Sequence, residues 1–207
     1  VELSHTFMGF INTTVGYSHV KDYATQATDT LNNATFVQQK NLAQQQILSF
    51  NIGSPLPIRK WWNGYANFWY NYQMFDGKIG ENKVNVNVPS YGAYMQHSFT
   101  LGRDYTAEVS GWYNGPSVWG GTWKTKPQGA VDIGLQKQFM QKRASLKLSF
   151  TDIFFTAPWK ATNEFGGLSI NGGGNWESRT FRLNFSWRFG SAQIKSSRDR
   201  KTGLESE

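Results

Sequence analysis

Ser178-Arg179-Thr180-Phe181-Arg182-Leu183-Asn184-Phe185-Ser186-Trp187-Arg188-Phe189 changes its chemistry at every step. In an extended chain Phe181, Leu183, Phe185, Trp187 and Phe189 share one face, and Thr180, Arg182, Asn184, Ser186 and Arg188 share the other. Period two marks a β-strand whose two faces meet different surroundings. A helix of 3.6 residues per turn would scatter the same rings around its axis.

Working outward, the same alternation recurs less cleanly. Ala144, Leu146, Leu148 and Phe150 oppose Ser145, Lys147 and Ser149; Val131, Ile133 and Leu135 oppose Asp132, Gly134 and Gln136; Tyr105, Ala107, Val109 and Tyr113 oppose Thr106, Glu108 and Ser110. Earlier strands are expected at Val1 to Phe7, Phe10 to Val20, Gln46 to Pro57, Trp61 to Met74 and Tyr91 to Leu101, giving nine in all. Their connections alternate in length. Short ones fall at Met8-Gly9, Ile58-Arg59-Lys60, Gly102-Arg103-Asp104 and Gln141-Lys142-Arg143, and long ones at Lys21 to Ala43, Phe75 to Ser90, Asn114 to Lys126 and Thr151 to Asn175. Tight turns on one side and long loops on the other characterise an up-and-down transmembrane β-barrel.

Alternation alone also fits a soluble β-sandwich, in which the apolar faces pack inward. Ring placement separates the two. Tyr105 and Tyr113, Tyr91 and Phe99, Tyr70 and Tyr72, and Trp187 and Phe189 mark strand ends, as interfacial girdles do, because Trp and Tyr pair an apolar body with a polar tip. The opposite faces carry Asn, Gln, Ser, Thr and scattered charges, suited to a polar lumen. Together these favour an all-β, antiparallel, transmembrane barrel.

Composition narrows the function. No apolar run nears the roughly 20 residues of a membrane-spanning helix. Mean hydropathy is −0.53 with 16% aromatic residues, an unusual pairing for an average soluble domain. The chain has no Cys, which removes disulfides and thiolate metal sites. His5, His19 and His97 fall on separate strands at no metal-ligand spacing, and no phosphate-binding Gly loop precedes a helix. No catalytic residue, metal or cofactor is therefore expected, and the chain is not expected to be an enzyme. The formal net charge of +7 resides at Arg59-Lys60, Lys142-Arg143 and the C-terminal tail, so it reflects turn chemistry and not a nucleic-acid stripe.

Bacterial barrels have even strand numbers because antiparallel closure needs first and last strands to run oppositely. Nine strands place both ends in the same direction. Unless the count is out by one, residues 1–189 are expected to be the C-terminal strands of a larger barrel, with 190–207 a periplasmic tail.

The last strand with its tail, Phe181 to Gly190 followed by Arg198-Asp199-Arg200-Lys201-Thr202-Gly203-Leu204-Glu205, resembles the C-terminus of the outer-membrane β-barrel family related to TonB-dependent receptors. Pro57-Ile58-Arg59-Lys60-Trp61-Trp62 and Phe150-Thr151-Asp152-Ile153-Phe154 are similar elements. The resemblance implies a barrel of about 22 strands, a plug domain, energy relayed by TonB, and passage of a bulky ligand across the outer membrane of a Gram-negative bacterium. It implies outer-membrane lipid, the barrel-insertion machinery, TonB and other envelope proteins as partners. A small porin-like or structural barrel and a soluble sugar-binding sandwich are the alternatives.

Three groups of residues are candidates for function. Phe185, Trp187 and Phe189 resemble the assembly signal of outer-membrane barrels. Trp119, Trp123, Trp159, Phe165 and Trp176 lie in long connections, where rings either stack on a ligand or close the loops on one another. Glu108, Asp132, Lys147, Arg182 and Arg188 face the expected lumen, where they line a path, grip a plug or form a structural ladder, since charges there must be paired or hydrated.

Overall fold

The computed structural model describes residues 1–31, 34–79, 82–119, 123–165 and 168–189, with the tail at 190–207 outside them. A nine-stranded antiparallel sheet is formed by β1 (Glu2–Phe7), β2 (Ile11–Leu31), β3 (Ala34–Arg59), β4 (Trp62–Ile79), β5 (Asn82–Gly102), β6 (Tyr105–Asn114), β9 (Gln128–Phe139), β10 (Ala144–Phe150) and β13 (Phe181–Trp187). Between these strands lie β7 (Ser117–Trp119), β8 (Trp123–Thr125), β11 (Trp159–Phe165) and β12 (Leu168–Gly174), which build a second sheet in the order β12-β11-β8-β7. The main sheet follows chain order throughout and stays open, because β1 and β13 each pair on one side only. Both edges run toward the short turns, hence in the same direction.

Three of those turns rely on left-handed backbone. Met8 (φ 50°) and Gly9 (φ 76°) form a two-residue hairpin loop closed by Phe10 N–H to Phe7 O at 3.2 Å, the mirror-image turn whose twist suits a β-ribbon. Gly102, Arg103 and Asp104 (φ 81°, 49° and 63°) and Met140, Gln141 and Lys142 (φ 54°, 55° and 67°) turn in the same hand.

Strand register fixes the faces. Phe181, Leu183 and Phe185 lie opposite Phe150, Leu148 and Leu146, and Phe150 and Leu148 lie opposite Ile133 and Leu135. Val109 and Ala107 continue this surface to His97 and Phe99, and those to Gly64 and Trp62. The apolar face is uncovered: Phe181, Leu183, Phe185 and Trp187 are 53 to 69% exposed, and Leu3, Leu48, Phe68, Met95 and Ile133 are also exposed. A soluble sandwich would bury this face under a second layer, so that alternative is set aside. Trp62 and Tyr70, Tyr91 and Phe99, and Tyr105 and Tyr113 each stand eight positions apart. Eight steps span roughly 26 Å along a strand, or about 20 Å of membrane once tilted, the height of an apolar band between two girdles. On the turn side Trp61, Trp62 and Phe99 cluster at 5.6 to 6.3 Å between ring centroids, and Trp62 Nε1–H donates to His97 Nδ1 at 3.2 Å. Lys137 lays its ammonium 3.8 Å from the Tyr105 ring, a cation kept at the interface by its apolar stem. On the loop side Tyr91 and Tyr113 sit 6.1 Å apart.

The structure corrects the expected loops. Lys21 to Ala43 and Phe75 to Ser90 are mostly strand, since β2 pairs with β3 as far as Leu31↔Ala34 and β4 with β5 as far as Ile79↔Asn82. The ladders continue past the apolar alternation because backbone pairing goes on satisfying N–H and C=O groups there. The other two long connections carry the second sheet, which their β7–β8 and β11–β12 hairpins form together. The last strand starts at Phe181, three residues later than the alternation predicts, because Ser178 to Thr180 are drawn toward Thr151 and Asp152.

Candidate functional site

The inward face is polar and locally cross-linked. Thr6 Oγ1 donates to Asn12 Oδ1 at 2.8 Å, Asn67 Nδ2 to Asn51 Oδ1 at 3.1 Å, and Gln96 Nε2 to Glu108 Oε1 at 3.2 Å. Glu108 also meets Lys147 Nζ at 3.7 Å, although β9 lies between their strands. Gly134 makes that reach possible: it sits opposite Glu108, and a Cβ there would stand 3.7 Å from Lys147 Cε and 3.8 Å from Glu108 Cβ, so its missing side chain opens the lane between them. Both ionic side chains are more than a third exposed. Glu108→Gln is accordingly expected to change stability by less than about 1 kcal/mol, measured by urea titration in lipid vesicles; a larger loss would mean that the pair holds the wall together.

Aromatic rings interrupt this polar surface. Tyr65 and Tyr94 lie 6.4 Å apart, with Tyr94 Oη donating to Gln96 Oε1 at 2.9 Å, and Trp69 lies across Gly92. A Cβ on Gly92 would stand 2.6 Å from both the Trp69 ring and the Tyr113 carbonyl oxygen. The ring can swing but the carbonyl belongs to the ladder. Gly92→Ala is therefore expected to cost about 1 to 3 kcal/mol in the same urea titration, and parental stability would show that the wall yields at this point.

At the loop end of the last hairpin, Asp152 is 1% exposed and gathers the chain around it. Its carboxylate accepts from Thr156 N–H (2.8 Å), Ala157 N–H (3.2 Å) and Ser178 Oγ (2.5 Å). Its carbonyl accepts from Arg179 Nε at 3.3 Å and from Phe155 N–H at 2.9 Å, and its own N–H donates to Asp132 Oδ1 at 2.8 Å. Thr151 Oγ1 donates to Ser178 O at 2.7 Å and lies 2.9 Å from Thr180 Oγ1. Burial pushes the Asp152 carboxyl up, but the hydrogen bonds from Ser178, Thr156 and Ala157 and the charge of Arg179 outweigh it and hold the group below its usual value.

The predicted residues separate into those the fold unites and those it leaves apart. Glu108 and Lys147 pair, whereas Asp132 serves the Asp152 latch. Arg182 and Arg188 stand on the polar face of an exposed edge strand, with no ion pair to either among the described residues. Trp123 and Trp159 lie 6.4 Å apart and both rest against Gly172, so these two rings pack the loop sheet together. Trp176 is 48% exposed, and the side chains of Trp119 and Phe165 lie outside the described residues. Phe185 stacks on Phe139 at 6.2 Å, and Trp187 meets Phe189 edge-on at 5.7 Å. Among the described residues no group of three His, Cys, Asp or Glu side chains could hold a metal ion, and no helix is long and apolar enough to cross a membrane. Sequence reasoning missed the Asp152 latch and the Tyr65–Trp69–Tyr94 cluster. Thr151-Asp152 directly after a strand was the available signal for the first; for the second there was none beyond face parity.

An outward apolar band between two girdles and an inward polar face are the division of a membrane barrel wall. Residues 1–187 match the outer membrane protein beta-barrel family. The chain belongs to that family. No curated protein and no solved structure matches it. Membership in the outer membrane protein beta-barrel family places the outward face in the outer membrane and makes the strands, not a helix, the crossing elements. The family match spans the loop sheet as well as the nine wall strands, so the Asp152 latch and the Trp123–Trp159 pair fall within it.

Proposed function

We propose that this chain forms the C-terminal part of the wall of an outer-membrane barrel of TonB-dependent receptor type, which takes up a bulky ligand or serves as the barrel subunit of an envelope assembly. The observation that carries the proposal is the open nine-stranded sheet whose two free edges, β1 and β13, run in the same direction. A small closed barrel of these strands alone would need those edges to meet in parallel, against the antiparallel ladder everywhere else. Further strands are the economical way to satisfy both edges, and a wider barrel is what a bulky cargo needs.

In this proposal Phe185, Trp187 and Phe189 are read by the barrel-insertion machinery, the tail at 190–207 hangs in the periplasm, and Trp176 with its loop neighbours meets ligand outside the cell. TonB and other envelope proteins are the partners, and no catalytic step is involved. Two measurements test it. The mass of the mature protein extracted from outer membranes should correspond to well over 207 residues. Uptake of a labelled ligand too large for porins should depend on this protein and stop when the inner-membrane proton gradient is collapsed. A mature mass near this chain's own, or passage of small solutes indifferent to the gradient, would favour the porin-like barrel instead.

A further inference from the structure

Two hollows lie in line on the outward face of β9. At the level of the loop-side tyrosines, a cavity of about 740 Å³ is bounded by Tyr113, Gly129, Phe155, Pro158 and Lys160. Nearer the middle of the wall, a groove of about 280 Å³ is bounded by Ile133, Leu135, Leu148, Phe150 and Phe181. Gly129, Ile133 and Leu135 share one face of one strand by parity, so both hollows follow a single line from the girdle into the apolar band.

The chemistry changes along that line. The upper cavity has the exposed Lys160, no acidic residue in its lining, and Phe155, whose ring carries the Arg179 guanidinium at 5.1 Å from its centroid. The lower groove is walled by aliphatic and aromatic side chains. Phe155 is also held in a conformation that bulky residues rarely adopt (φ 55°), pinned through its N–H to Asp152 O and through Thr156 N–H to the Asp152 carboxylate. Strain of this kind persists where surrounding structure over-determines it, commonly at binding sites.

We infer that this line binds one phosphorylated lipid of the outer leaflet, its phosphate against Lys160 and one acyl chain along Ile133, Leu148 and Phe181. The occupant follows from charge and place. A cavity whose lining holds one cation, Lys160, and no carboxylate favours an anion, while an apolar groove beneath it, at acyl-chain depth, selects a lipid over a free ion. The inference depends on where the girdles sit and not on any transport activity, so either can fail without the other.

The test uses the full-length protein in detergent micelles, titrated with a diphosphorylated, acylated glucosamine disaccharide and followed by native mass spectrometry. One equivalent should be retained. The same lipid stripped of phosphate should bind at least about tenfold more weakly, as should the parent lipid to Lys160→Glu and to the groove-filling Leu148→Trp. Inorganic phosphate at equal concentration should not displace it. Equal binding of the stripped lipid, or no effect of either variant, would overturn the inference in favour of an unspecific lipid annulus. Displacement by inorganic phosphate would overturn it in favour of a free-anion site. Each variant is first checked for the parental heat-dependent gel shift, and Lys160→Gln replaces Lys160→Glu if that fails.

Discussion

Phe185→Arg is expected to destabilise the inserted sheet by up to about 4 kcal/mol, the cost of an arginine at the bilayer midplane, which falls toward the interface that Trp187 marks two residues on. Phe185 is 60% exposed on the outward face, stacked on Phe139 and paired with Leu146, so the new guanidinium would have only lipid around it. One residue earlier, Asn184 points inward, opposite Lys147. Asn184→Arg gains a like-charged neighbour, but water hydrates both groups and Glu108 already pairs with Lys147, so its expected cost stays below about 1 kcal/mol. The difference between two adjacent positions is what identifies the lipid side. Urea titration of both variants in vesicles measures it, and equal losses would overturn the assignment of faces.

Asp152→Ala is expected to have the next largest effect, about 3 kcal/mol, and to confine it to the loop end of the last hairpin. Three donors converge on this buried carboxylate, and removing it leaves Thr156 N–H, Ala157 N–H and the Ser178 hydroxyl without an acceptor; each orphaned polar group costs on the order of 1 to 3 kcal/mol, less where water can enter. Hydrogen exchange should therefore rise in residues 151–157 and 176–180 while β9 and β10 stay protected below them. Uniform loss across the sheet would show that the latch supports the wall, and no change would show that it supports nothing. Acid should act in the same place. The folded-state value of Asp152 is depressed, so its contribution is fully present above the unfolded value of about 3.9 and is lost as pH falls through the lower folded value. Exchange in these two segments should be flat from pH 8 to 5, after correction for intrinsic rates, and climb only in stronger acid.

All nine wall strands were legible in the sequence because two solvents impose period two on the chain: Phe181 to Phe189 cannot shift by one residue without turning its rings into the lumen. Where that constraint ends, so does legibility. Ala24-Thr25-Gln26-Ala27-Thr28 shows no alternation of apolar and polar residues, yet it pairs with Val37 to Asn41 as regularly as the segments below it. The candidate site divides along the same line. That Glu108 and Lys147 face inward follows from parity, but their pairing across β9 depends on Gly134, which has no side chain to announce it. Asp152 was visible only as part of a resemblance, since its role is set by Ser178 and Arg179, 26 and 27 residues away. Trp123 and Trp159 had two competing roles, and only the position of Gly172 between the hairpins brings both rings to one place.

The 21 residues of β2 and 26 of β3 do more than cross a bilayer. From Lys21 to Leu31 the ribbon can rise on the order of 30 Å above the tyrosine belt, at about 3.3 Å per residue. A ribbon of that length makes this hairpin, and not the lipid-facing wall, the part of the described sheet that stands farthest from the tyrosine belt.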